Sequence, residues 1–299
     1  MRRARRPKEH VMDHSAHTAA PFPQGLQTAE QGYRITPSLT ILDAGRTRVE
    51  FAIFGPDDAP VTAFDVQHDR KLHFIAVQRD TSGFQHVHPV MDATGTWSVE
   101  LDLTPGVWRF FADIVPTALG TGIVLGADVA VPGDYRPRDL LERRTVSTVD
   151  DYVVTLDGAL LPGEAGELRA RITRGGIPVT DLQPYLAAYG HLVALRAGDL
   201  AFLHVHPEGG PTDPATPAGP DIRFHAMAPS AGTYRLFLDF QHAGTVRTAD
   251  FTLVAGEPAS AAQEPAADAA DAVDAVDAGR DEPVAHAGPH SAHHGAHHH

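Results

Sequence analysis

Short apolar stretches broken by glycine and proline set the rhythm of the chain, and none of them carries a helical period. Thr47–Phe54, Leu72–Val77, Thr96–Leu103 and Val107–Val115 are rich in β-branched and aromatic residues and are bounded by turn formers, which is the pattern of strands. Glu167–Thr173, His191–Leu195, Ile222–Ala228, Tyr234–Phe240 and Val246–Val254 continue it. Roughly seven strands per ~100 residues predict an all-β chain of two tandem immunoglobulin-like β-sandwich domains.

The two domains read as copies of one another. A shift of 118 residues lays Pro60-Val61-Thr62 on Pro178-Val179-Thr180, His73 on His191, Phe84 on Phe202, and His86-Val87-His88-Pro89 on His204-Val205-His206-Pro207. Further on, Trp108-Arg109-Phe110-Phe111-Ala112-Asp113 parallels Tyr234-Arg235-Leu236-Phe237-Leu238-Asp239. The expected organisation is a basic, histidine-containing tail (1–32), domain one (33–133), a charged proline-containing linker (134–148), domain two (149–255) and an acidic, histidine-rich tail (256–299). Both tails have compositions that bury too little apolar surface to order, so they are expected to be disordered.

Charge and composition narrow the function. The net charge of −14 lacks the basic stripe that nucleic acid requires. With no cysteine, thiolate metal sites, disulfides and cysteine nucleophiles are excluded together. No apolar run approaches a membrane span, and no apolar stretch follows the N-terminal arginines as in an export signal. A cytoplasmic location is the default expectation. No paired-carboxylate motif, nucleophile elbow or phosphate loop is present, so the chain is expected to be non-enzymatic.

The repeated histidines carry the chemistry. Residues i and i+2 of a strand share a face, so His86 and His88 point the same way, as do His204 and His206. A turn near Asp80-Thr81 places His73 opposite His88, and one at Gly198-Asp199 places His191 opposite His206. Three imidazoles thus converge in each domain, a set able to hold a metal. A shared structural hydrogen-bond network is the competing reading. His68 is a candidate fourth ligand in domain one only, its counterpart being Leu186. The matched Asp113 and Asp239 are candidate carboxylates for orienting a ligated imidazole. His293, His294 and His297 belong to a tail with the composition of a metal-capturing arm, whereas His225 and His242 lack partners in domain one and read as surface residues.

Imidazole ligands without thiolate suit copper, with zinc or nickel as alternatives. Binding is expected to weaken as pH falls through about 6.5, because ligation needs neutral imidazole.

The strings Gly190–Leu195, Phe202–Pro207 and Tyr234–Phe240, together with Leu72–Ile75 and Gly83–Pro89, resemble a group of bacterial heavy-metal-binding-domain or copper-associated secreted or membrane proteins. The resemblance spans about residues 33–255. It implies metal handling and an extracytoplasmic location. The expected function is metal buffering, storage or delivery, the last requiring a metal transporter or another protein as partner. The alternatives are an Ig-like protein-interaction module with structural histidines and, less favoured, a histidine-ligated metalloenzyme.

Overall fold

The computed structural model describes residues 23–257 except Leu141 and His204, and the side chain of His206 is also outside the description. His293, His294, His297 and the C-terminal tail beyond residue 257 lie outside the described residues, as do residues 1–22.

The described chain is all-β. Its first half contains β1 (Ala29–Glu30), β2 (Tyr33–Pro37), β3 (Gly45–Phe54), β4 (Leu72–Gln78), β5 (Phe84–Val87), β6 (Val90–Met91), β7 (Thr96–Leu103), β8 (Gly106–Ile114) and β9 (Ile123–Val131). The second half contains β10 (Val146–Val149), β11 (Tyr152–Gly158), β12 (Gly166–Arg174), β13 (Ile177–Pro178), β14 (Gly190–Arg196), β15 (Phe202–Leu203), β16 (Val205–Pro207), β17 (Asp221–Ala226), β18 (Gly232–His242) and β19 (Thr245–Ala255). They form two immunoglobulin-like sandwiches. In the first, the sheet β1-β2-β3-β7-β6 faces the sheet β5-β4-β8-β9. In the second, β10-β11-β12-β17-β16 faces β15-β14-β18-β19, and β13 pairs with β12.

Each sandwich has its own apolar core. Phe51, Phe74, Trp97 and Phe110 lie in the first, and Tyr152, Phe224, Tyr234, Phe240 and Phe251 in the second. A third cluster joins the two. Leu72, Phe74 and Ala76 of β4 point into the first core, while the alternate residues Ile75 and Val77 join Phe111, Val124, Val193, Leu195, Phe202 and Phe237. Phe84 and Phe237 stack across this cluster with centroids 4.0 Å apart. Strand alternation explains why β4 is buried along its whole length: one face lies on its own domain and the other on its neighbour. His73 shares the odd-numbered face of β4, and His191 the equivalent face of β14, so both are carried to the junction between domains.

Two boundaries differ from the sequence expectation. β10 begins inside the expected linker. Residues from Gln24 onward, expected to belong to the N-terminal tail, are tied into both domains: Gln24 bridges Phe202, and the Gly25 N–H donates to the Val124 carbonyl at 3.1 Å. The buried Arg109 guanidinium donates to the Gly25 carbonyl through Nη2 at 2.6 Å and Nε at 3.1 Å. This anchoring runs mainly through backbone atoms, so no apolar period in the sequence announces it.

Candidate metal centre

β4 and β5 pair antiparallel with Phe74 opposite Val87 and Ile75 opposite His86. The same register carried one step further sets His73 against His88. A tight turn just before β4 completes the local frame. Gln67 and Arg70 exchange backbone hydrogen bonds around His68 and Asp69, both with positive φ. Short polar residues tolerate that left-handed conformation better than most. The second repeat has the same turn, with Tyr185 and Ala188 bonded around Leu186 and Ala187, again both at positive φ.

These turns fix the histidine tautomers. A carbonyl can only accept, so the bond between His73 Nε2 and the Gln67 carbonyl (3.0 Å) puts the proton on Nε2 and leaves Nδ1 as the lone-pair nitrogen. His191 Nε2 donates in the same manner to the Tyr185 and Leu186 carbonyls, each at 2.9 Å. His86 is held the other way round: its Nδ1 donates to Asp239 Oδ2 at 2.8 Å, which turns Nε2 towards His73. The opposite carboxylate oxygen, Oδ1, accepts from Thr248 Oγ1 at 2.6 Å.

The ring nitrogens meet. His73 Nδ1 lies 3.2 Å from His86 Nε2 and 3.4 Å from His88 Nε2, and one nitrogen of each of the three rings falls within 4.8 Å of the others. Ligands at 2.0–2.1 Å from a tetrahedral ion stand about 3.3 Å from each other, so the two short separations match edges of such a site. His73 Nδ1 presents its lone pair to His86 Nε2, an arrangement that a cation or a proton between the two nitrogens satisfies. Burial, the largest cause, holds His73 and His88 down to about 3 and His191 to about 4, with the neighbouring histidines adding to the effect. All three are therefore neutral, ligand-competent imidazoles near pH 7. The donor set fits a divalent cation: three imidazole nitrogens, two of them oriented from behind by a carboxylate and by a backbone carbonyl.

Some sequence-predicted residues are brought together and others are placed elsewhere. Asp239 lies opposite His191 in the β14–β18 register, yet its hydrogen bond goes to His86 of the other repeat. The side chains of His86 and Asp239 are 3% and 5% exposed. Asp113 lies opposite His73 and lines a cavity between the domains together with His68, His73, His86 and His191. The His68 ring is 6.0 Å from that of His73 and 5.4 Å from that of His191, outside the trio. The His191 ring lies 6.3 Å from those of His73 and His86. His204, and the side chain of His206, lie outside the described residues. His225 is exposed as expected, whereas His242 is anchored between the Tyr152 hydroxyl (2.7 Å) and Asp181 (3.0 Å). The residues missed from sequence are Gln67, Tyr185 and Thr248. Two act through backbone carbonyls, which leave no side-chain signature.

A family described as a domain of unknown function (DUF8832) matches residues 147–257. Comparison with curated proteins gives no match. Among solved structures, the chain is similar to FdeC, an Escherichia coli adhesin, at 10% identity over 77% of this chain and 65% of that one (TM-score 0.25). It is similar to invasin, a bacterial integrin-binding protein, at 11% identity over 74% and 39% (TM-score 0.22). The fibronectin(III)-like modules of Clostridium thermocellum CbhA match at 10% identity over 74% and 93% (TM-score 0.20). The chain thus spans less than two thirds of the length of the first two.

Proposed function

We propose that this protein is a non-catalytic metal-binding protein that takes up a divalent cation between its two domains for buffering, storage or delivery. One observation supports this most: ring nitrogens of His73, His86 and His88 converge, with His73 Nδ1 at 3.2 Å from His86 Nε2 and 3.4 Å from His88 Nε2, while the far nitrogens of His73 and His86 are held by Gln67 and Asp239. Copper is the ion this donor set favours, since affinity for nitrogen sites peaks at Cu(II); zinc and nickel are the alternatives. Delivery would add a partner, a metal transporter or another protein, to accept the ion.

A second reading is an Ig-like interaction module in which the histidines are structural. The bond from His86 to Asp239 favours it, because it joins the repeats across their junction. With a proton in place of the ion, Asp239, His86, His73 and Gln67 form one hydrogen-bonded chain.

Titration of the full-length protein and of His88→Ala with Cu(II), Zn(II) and Co(II) separates the two readings. Binding sites in the tail are common to both proteins and cancel. Loss of one ion per chain in the variant, with loss of the visible bands of tetrahedral Co(II), supports the metal site. Equal uptake by both proteins would leave the structural reading.

A further inference from the structure

Behind the trio stands a hydroxyl that belongs to the second repeat. Asp239 on β18 lies opposite Thr248 on β19, and both oxygens of its buried carboxylate are committed. Oδ2 accepts from His86 Nδ1 at 2.8 Å, and Oδ1 accepts from the Thr248 hydroxyl at 2.6 Å. A carboxylate held at one oxygen can still turn about its Cβ–Cγ bond, because that terminal torsion is broad. One held at both is fixed in its plane, and the imidazole bonded to it is fixed in turn. The first repeat carries the matching aspartate with a different neighbour. Asp113 on β8 lies opposite Val124 on β9, and Val124 belongs to the apolar cluster between the domains. No hydroxyl stands at that register position.

We propose that Thr248 is a positioning residue of the candidate centre: its hydroxyl pins the Asp239 carboxylate, which in turn sets the His86 ring so that Nε2 faces His73 Nδ1. The proposal deepens the metal-binding reading and rests on it. Thr248 acts through Asp239, so removing its hydroxyl leaves every ligand in place and loosens one of them. The effect therefore falls on affinity and on the order of the His86 ring, while the number of ions bound is unchanged. Thr248 is exposed whereas Asp239 is buried, so a substitution at position 248 alters the relay without opening either core. Valine keeps the branched shape of threonine without the hydroxyl, and it is the residue that the first repeat places opposite its own aspartate.

The test uses full-length protein and its Thr248→Val and Thr248→Ser variants. In metal-free protein with isotope-labelled histidine, the His86 Nδ1 proton is followed by nuclear magnetic resonance and assigned by its loss in Asp239→Asn. Its chemical shift and its exchange with solvent are read. Co(II) affinity is read from the visible bands of the tetrahedral ion that disappear in His88→Ala. Thr248→Val is expected to move the proton signal, speed its exchange and weaken Co(II) binding several-fold. That loss is smaller than the ~10–100-fold expected when the carboxylate itself is removed. Thr248→Ser is expected to restore all three readings. Parental signal, exchange and affinity in Thr248→Val overturn the proposal. So does a Thr248→Ser protein as defective as Thr248→Val, which marks a packing role, and so does an altered proton signal with parental affinity. If the proton signal responds as expected while the parent protein takes up no ion that His88→Ala lacks, the metal-binding reading fails and the hold of Thr248 on His86 is supported.

Discussion

Asp239 Oδ2 and His86 Nδ1 lie 2.8 Å apart although 153 positions separate them, and the bond joins one repeat to the other. The carboxylate of the second domain orients an imidazole of the first. The candidate centre is therefore a property of the assembled pair.

Removing that carboxylate leaves the ring free to turn. Asp239→Asn is expected to weaken ion binding about 10–100-fold, the usual effect of losing an orienting partner behind a histidine ligand. Competition against a chelator of known affinity measures it. Unchanged affinity would show that Asp239 has no part in orienting the site.

The buried imidazoles make stability depend on acidity. His73 and His88 are held down to about 3 and His191 to about 4, against about 6.5 in an unfolded chain. Below pH ~6.5 the unfolded chain takes up protons that the folded chain refuses. The stability these groups contribute is complete above that pH and is lost as pH falls toward 4 and then 3. Denaturant midpoints of metal-free protein are expected to fall between about pH 7 and pH 4.5. A flat profile would contradict the burial. Ion uptake is expected to fall in the same direction, since a protonated imidazole cannot ligate.

The apolar junction carries its own prediction. Phe237 is buried, stacks on Phe84 and lies two positions before Asp239 on β18. Phe237→Ala is expected to cost about 3 kcal/mol, the lower end for a buried aromatic truncation. It should also weaken ion uptake by loosening the strand that presents Asp239. Thermal melts and uptake measured on the same sample check both effects. Lost stability with unchanged uptake would separate the junction from the site.

Gly126 tests the N-terminal anchor. A β-carbon there would stand 2.1 Å from the Gly25 carbonyl and 2.5 Å from Arg109 Nη2, so alanine displaces one of them. Gly126→Ala is expected to release the segment around Gly25, read as faster proteolytic cleavage before Ala29. Cleavage at the parental rate would mean that the contact yields without cost.

Much of this was legible in the sequence. The 118-residue offset announced two copies, and the hairpin around Asp80-Thr81 correctly set His73 against His88. The pairing of Asp239 with His86 was hidden, because spacing within a repeat says nothing about which faces of two repeats meet. A clue did exist in Leu72–Val77, whose apolar residues do not alternate with polar ones, as expected when both faces of a strand are covered. The Gln67 and Tyr185 carbonyls were invisible for another reason: any residue supplies a carbonyl.

The cluster formed by Ile75, Val77, Phe111, Val193, Leu195 and Phe237 draws on both repeats. Either repeat alone would turn its share of that apolar surface to water, so the two are expected to melt in one cooperative step and not one after the other.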